Sequence, residues 1–190
     1  MKKKICIILT GLMMVCSLAA CGKEKKEEKV AEDTISVQED LVEFINEELP
    51  GIAENKDNAL SIYNSYFTGA SIDNAALVAD LKNNAIPNME TYIADLNAIE
   101  VETAEVEEVK QLYLMGAQKQ FEAMKMVVNA IENEMPDYLV QAEALIVEAQ
   151  TYMSDYEAKV VEIAAANNIT INSETISSGT VEEATTEEAQ

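Results

Sequence analysis

The chain has no histidine and no tryptophan, and no arginine occurs along it. All three cysteines (Cys6, Cys16 and Cys21) lie within its first 21 residues. These absences exclude much chemistry. The di-iron sites of helical bundles use Glu-x-x-His motifs, which cannot be completed without histidine. A zinc site in the body of the chain would lack both histidine and cysteine. A serine or cysteine triad would lack its base. No phosphate-binding glycine loop, EF-hand loop or dinucleotide fingerprint is present. The expectation is a protein that is not an enzyme and uses no cofactor and no dedicated metal site.

Positive charge is also scarce. Thirteen lysines stand against 35 acids, for a formal net charge of −22. Seven of the lysines fall at or before Lys29. Between residues 36 and 167, 25 acids face six lysines, a balance of −19. Such a surface repels nucleic acid and anionic lipid and attracts cations or basic partners.

The chain opens with Met1-Lys2-Lys3-Lys4, followed by an apolar run from Ile5 to Leu18. That run is shorter than the roughly 20 residues needed to cross a bilayer. Lysines, a short apolar core and small residues together read as a secretory signal, residues 1–20. The run ends Leu18-Ala19-Ala20-Cys21, which resembles the lipobox of bacterial lipoproteins. The resemblance covers residues 1–21 only. It implies cleavage between Ala20 and Cys21, and a diacylglyceryl group on the thiol of Cys21. Two acyl chains hold a protein at a membrane where one chain is marginal. The implied location is the extracytoplasmic face of the cell membrane, lipid-anchored. The mature chain would keep a single cysteine and form no internal disulfide.

Residues 21–35 are mixed in charge and poor in large apolar groups, and read as a disordered tether. Residues 168–190 are rich in serine, threonine and glutamate and read as a disordered acidic tail. Between them, residues 36–167 carry helical periodicity. The predicted fold is all-α: an up-down-up-down four-helix bundle with helices at about 36–68, 71–100, 104–132 and 134–167. The stripe keeps its phase past Pro50 and Pro87, so kinks rather than ends are expected there. Gly69 and Ser71 are expected to close the first helix and open the second, Thr103 to open the third, and Asn133 to cap the fourth. An alternative runs the third and fourth helices continuously through Pro136.

Three sets of residues are candidates for binding. Glu100, Glu102, Glu105, Glu107 and Glu108 could attract a hard cation such as calcium, although acids also suit a solvated helix start. Tyr63, Tyr92, Tyr113 and Tyr156 lie on the apolar stripes and either line an inter-helix pocket or fill the core. Met89, Met124 and Met153 suit core filling. Lys56 interrupts the first stripe and is expected at its edge, stem packed and amine in water. The expected function is that of a membrane-anchored lipoprotein. Its acidic bundle would serve as a protein-interaction or structural module, with a protein partner at the cell surface and no nucleic acid. The alternative is a ligand- or cation-binding receptor-type lipoprotein, with its site between helices or at the acidic turn 100–108.

Overall fold

A computed structural model describes residues 35–66 and 73–169. They form α1 (Val37–Glu43), a π-helical turn (Phe44–Glu48), α2 (Leu49–Ser65), α3 (Asn74–Asp80), a second π turn (Leu81–Ala85), α4 (Ile86–Ala98), α5 (Ala104–Glu132) and α6 (Asp137–Ala166). Each π turn joins the helices on either side without a break, so the described residues make four helices. No strand occurs among the described residues. The protein is all-α.

The two π turns have the same cause. Leu49 N–H donates to the Phe44 carbonyl, and Ile86 N–H to the Leu81 carbonyl, each five residues back. In an α-helix a proline ring collides with the carbonyl four residues before it. For Pro50 and Pro87 those carbonyls belong to Asn46 and Asn83, both inside the wide turns. The apolar spacing asks for the same widening. Val37, Leu41, Ile45 and Leu49 lie four, four and four apart, as do Leu77, Leu81, Ala85 and Met89. At about 100° per residue, twelve residues of α-helix would leave the last side chain ~120° off the stripe. One extra residue taken up in a wide turn restores the phase.

Ser36 opens α1 with a capping box. Its hydroxyl accepts from Glu39 N–H at 3.2 Å, and the Glu39 carboxylate accepts from Ser36 N–H at 3.1 Å. Residues 67–72, with Gly69 and Ser71, lie outside the described residues. The second helix starts two residues later than expected, because Asp73 takes the cap position expected of Ser71. The Asp73 carboxylate accepts from the N–H groups of Ala75 and Ala76 at 3.0 and 3.1 Å. The Tyr66 hydroxyl donates to Asp80, linking the end of α2 to α3. Thr103 caps α5 as expected.

The chain breaks before Pro136, so the third and fourth helices are not continuous. Asn133 is the last cap of α5 rather than the first of α6. Glu134 turns left-handed at φ 55°. Met135 N–H donates to the Ala130 carbonyl at 2.9 Å and Glu134 N–H to the Ile131 carbonyl at 3.4 Å, which closes a Schellman motif. Pro136 itself takes the cap position of α6.

The core gathers Leu41 and Phe44 from the first helix and Leu81, Met89 and Leu96 from the second, around α5. Met89, Met124 and Met153 are all buried in it. α5 touches α1, α3, α4 and the second π turn, whereas α6 packs chiefly on α5. At Gly116 the two helices come so close that a Cβ would sit 2.9 Å from the Met153 sulfur.

Candidate functional site

One polar cluster takes a side chain from each of the four helices. Lys56 comes from α2, Tyr92 from α4, Tyr113 from α5 and Tyr156 from α6. Lys56 is only 3% exposed, against the expectation that its amine reaches water. The lysine sits in phase with Ile52 and Ala59, so the stripe that buries them draws its stem inward as well. Its Nζ donates to the Tyr113 hydroxyl at 2.8 Å and lies 4.9 Å from the Tyr113 ring centroid and 6.0 Å from that of Tyr92. The ring faces offer a cation partial compensation for lost water. Tyr113 meets Tyr156 edge-on, with centroids 4.8 Å apart and planes at 61°. No ion pair reaches Lys56 among the described residues.

Burial pushes the Tyr92 phenol far above its ordinary range, and the charge of the neighbouring Tyr113 phenol and its hydrogen bond add to the shift. Burial does the same to Tyr156, with Tyr113 and Glu157 contributing. These phenols stay neutral at any physiological pH and act as hydrogen-bonding groups rather than bases. Tyr63 is half-buried, and burial raises its phenol as well. Of the four tyrosines named from the sequence, three meet, and they fill the core.

A second buried charge ties the first helix to the third. Asp40, 4% exposed, accepts from Glu102 N–H at 3.2 Å and from Thr103 N–H at 2.8 Å, and also from the Thr103 hydroxyl. The Thr103 hydroxyl in turn accepts from Val106 N–H at 3.4 Å. A carboxylate at a helix N-terminus satisfies donors that the helix leaves open and suits its dipole. Sequence reading missed Asp40 and placed the Lys56 amine in water. The available signal was a charged residue in phase with an apolar stripe.

The acidic turn is spread over several partners. Glu107 pairs with Lys110 at 2.9 Å and accepts from Gln111 at 2.7 Å. The hydrogen bond from Lys110 holds the Glu107 carboxyl below its ordinary value. The Lys110 amine also donates to the Ile99 carbonyl at 2.9 Å, closing the end of α4. Glu108 pairs across the helices with Lys159 at 3.1 Å. Glu100, Glu102 and Glu105 are exposed. Among the described residues, no three acidic side chains converge on a point that could hold a metal ion. Ala20 and Cys21 lie outside the described residues.

The remaining feature is a surface. Val140, Val147 and Val161 are 67%, 56% and 54% exposed. They lie on the side of α6 opposite Ala149, Met153 and Tyr156, which are buried against α5. Apolar groups on both faces are unusual for a helix that packs on one neighbour.

No family model, no curated protein and no solved structure matches this chain.

Proposed function

We propose that the chain is a lipoprotein anchored at the extracytoplasmic face of the cell membrane through a diacylglyceryl group on Cys21. Its acidic helical bundle acts as a protein-interaction or structural module. The observation that carries the module is the outward line of exposed valines on α6, on a molecule whose surface is otherwise strongly acidic. Apolar groups in register on a solvent face mark contact sites. Among the described residues no helix is long and apolar enough to cross a membrane, so attachment falls to Cys21 in this proposal.

The bundle runs up-down-up-down and bends at the two π turns. Contact order supports this path. Asp40 meets Thr103 and Lys56 meets Tyr113, so the first and third helices advance together. Lys119 pairs with Glu148 and Glu108 with Lys159, so α5 and α6 run in opposite directions.

Anchoring is tested by labelling cells with palmitate. The label enters the wild-type protein and is lost in Cys21→Ala, which is left uncut or released from membranes. A Cys21→Ala protein that is still cut and labelled would sink the anchor. The module is tested by crosslinking in the native cell, with capture through this chain and mass spectrometry. A reproducible protein partner is the expected result, and a chain that crosslinks to nothing while abundant and lipidated would refute it.

A further inference from the structure

We infer that the outward face of α6 is a docking strip for a basic amphipathic helix of a partner protein, a claim that rests on the interaction-module proposal and names its partner chemistry. The strip begins with Val140, Val147 and Val161, which sit at multiples of seven residues from one another. Halfway positions carry Ala144, Ala158 and Ala165, all exposed. Thr151 and Ser154 complete the alternation of four and three, the spacing at which one helix receives another. The Thr151 hydroxyl donates to the Val147 carbonyl at 3.0 Å, so it makes no outward demand for a partner. Eight successive positions on the solvent side of a 30-residue helix therefore carry no charge.

The neighbouring helix sets the contrast. The exposed positions of α5 include Glu105, Glu108, Glu122, Lys125 and Glu132. On α6 the charges are displaced to the flanks. Glu148, Asp155 and Glu162 run along one side of the strip, Glu143 and Glu157 along the other, and Asp137 lies in line at its amino-terminal end. Lys119 pairs with Glu148 at 2.9 Å and Lys159 with Glu162 at 3.4 Å. Among the described residues no ion pair reaches Glu143, Asp155 or Glu157.

This arrangement selects the occupant by charge. A second copy would bring its own acidic flanks against these, and like charges opposed across a contact count against the wrong partner. A helix with lysine or arginine beside an aliphatic seam meets an uncharged seam and two acidic margins. The small side chains of α6 leave room for larger ones, so leucine or isoleucine on the partner fills the spaces between them. The strip, from Val140 to Ala165, is ~38 Å long at 1.5 Å per residue and ~10 Å wide, the diameter of a helix. It would bury ~380 Å² on each side, ~760 Å² in all, the size of a weak, transient contact.

The test uses the full chain in detergent and two labelled 28-residue helical peptides. Both carry a leucine and alanine seam at heptad spacing; one has lysines on the flanks, the other glutamates. The lysine peptide binds with a micromolar Kd by fluorescence anisotropy and the glutamate peptide does not. Val147→Glu weakens the lysine peptide by tenfold or more, although it adds negative charge. Unchanged or tighter binding to Val147→Glu would mean attraction to bulk charge alone and overturn the inference. Circular dichroism melting checks that the variant stays folded, as substitution at a half-exposed position should allow. A concentration-dependent dimer of the chain in sedimentation, abolished by Val147→Glu, would assign the strip to a second copy and likewise overturn it. The same variant in the native cell separates the two proposals. Crosslinked partners that survive Val147→Glu refute the strip and leave the interaction module standing.

Discussion

The two halves of the bundle solve the same packing problem differently. Through the first helix and the front of the second, apolar residues repeat every four positions, and a π turn brings each run back into phase before Pro50 and Pro87. In α6 the buried residues Ala142, Ala149, Met153, Tyr156, Val160 and Ile163 keep to intervals of three, four and seven, and the helix runs 30 residues unbroken. Spacing of 3.5 residues stays on one face of an α-helix, whereas spacing of four drifts off it unless the helix is unwound locally. A proline is tolerated where the helix is already unwound. The amino-terminal half thus spends its irregularity in fitting its neighbours, and the carboxy-terminal half stays regular and keeps a face to spare.

The sharpest way to break the comparison is to cut the cluster that joins the halves. Tyr92→Ala removes a fully buried ring from among Lys56, Tyr113 and Tyr156 and should lower stability by about 3–5 kcal/mol in urea unfolding. A loss below about 1 kcal/mol would mean that the halves hold together without it.

Alkaline titration probes the same joint without a cavity. The Tyr92 and Tyr156 phenols are raised in the folded protein, by burial first. The unfolded chain therefore gives up these protons first, from about pH 10 upward. The stability they contribute is complete below pH ~10 and falls as pH rises beyond it. Melting followed from pH 8 to 11 should show that fall, and Tyr92→Phe should make it shallower.

A glycine in each half gives opposite signs. Gly116→Leu would drive a side chain into Met153 and the Ala149 carbonyl, where a Cβ alone is at 2.9 and 3.5 Å, and should cost about 1–3 kcal/mol. Gly51 meets nothing within 4 Å, so Gly51→Ala should gain about 0.5–1 kcal/mol from lower backbone entropy in the unfolded chain. Equal effects from the two would remove the distinction between a tight α5–α6 contact and an open helix surface.

Pro87→Ala asks which cause of the π turn dominates. If the fourfold spacing of Leu77, Leu81, Ala85 and Met89 sets the turn, it persists, and one regained hydrogen bond adds about 1 kcal/mol. Amide exchange at Ala85 and Ile86 would detect collapse to a regular α-helix, the outcome expected if the proline alone were responsible.

Helical class, the number of helices and the Thr103 cap were legible because periodicity and capping are local properties of the chain. The π turns were legible in principle, through three successive intervals of four ahead of each proline, but the expectation there named only kinks. The start of the second helix at Asp73 and the exchange of Asn133 from first cap to last turned on which of several competent side chains the backbone met. The clustering of Tyr92, Tyr113 and Tyr156 was anticipated only as burial, and the lysine among them was placed in water.

Sequence alone determined that residues 36–167 carry a helical pattern, are acidic and lack histidine and cysteine, because composition and spacing act within a few residues of chain. It also determined the lipobox expectation at Cys21. Only the tertiary structure decided that Lys56 and Asp40 are buried, because their solvation depends on residues more than 50 positions away. It likewise decided which face of α6 remains uncovered, since both faces are uncharged in sequence and only the approach of α5 distinguishes them.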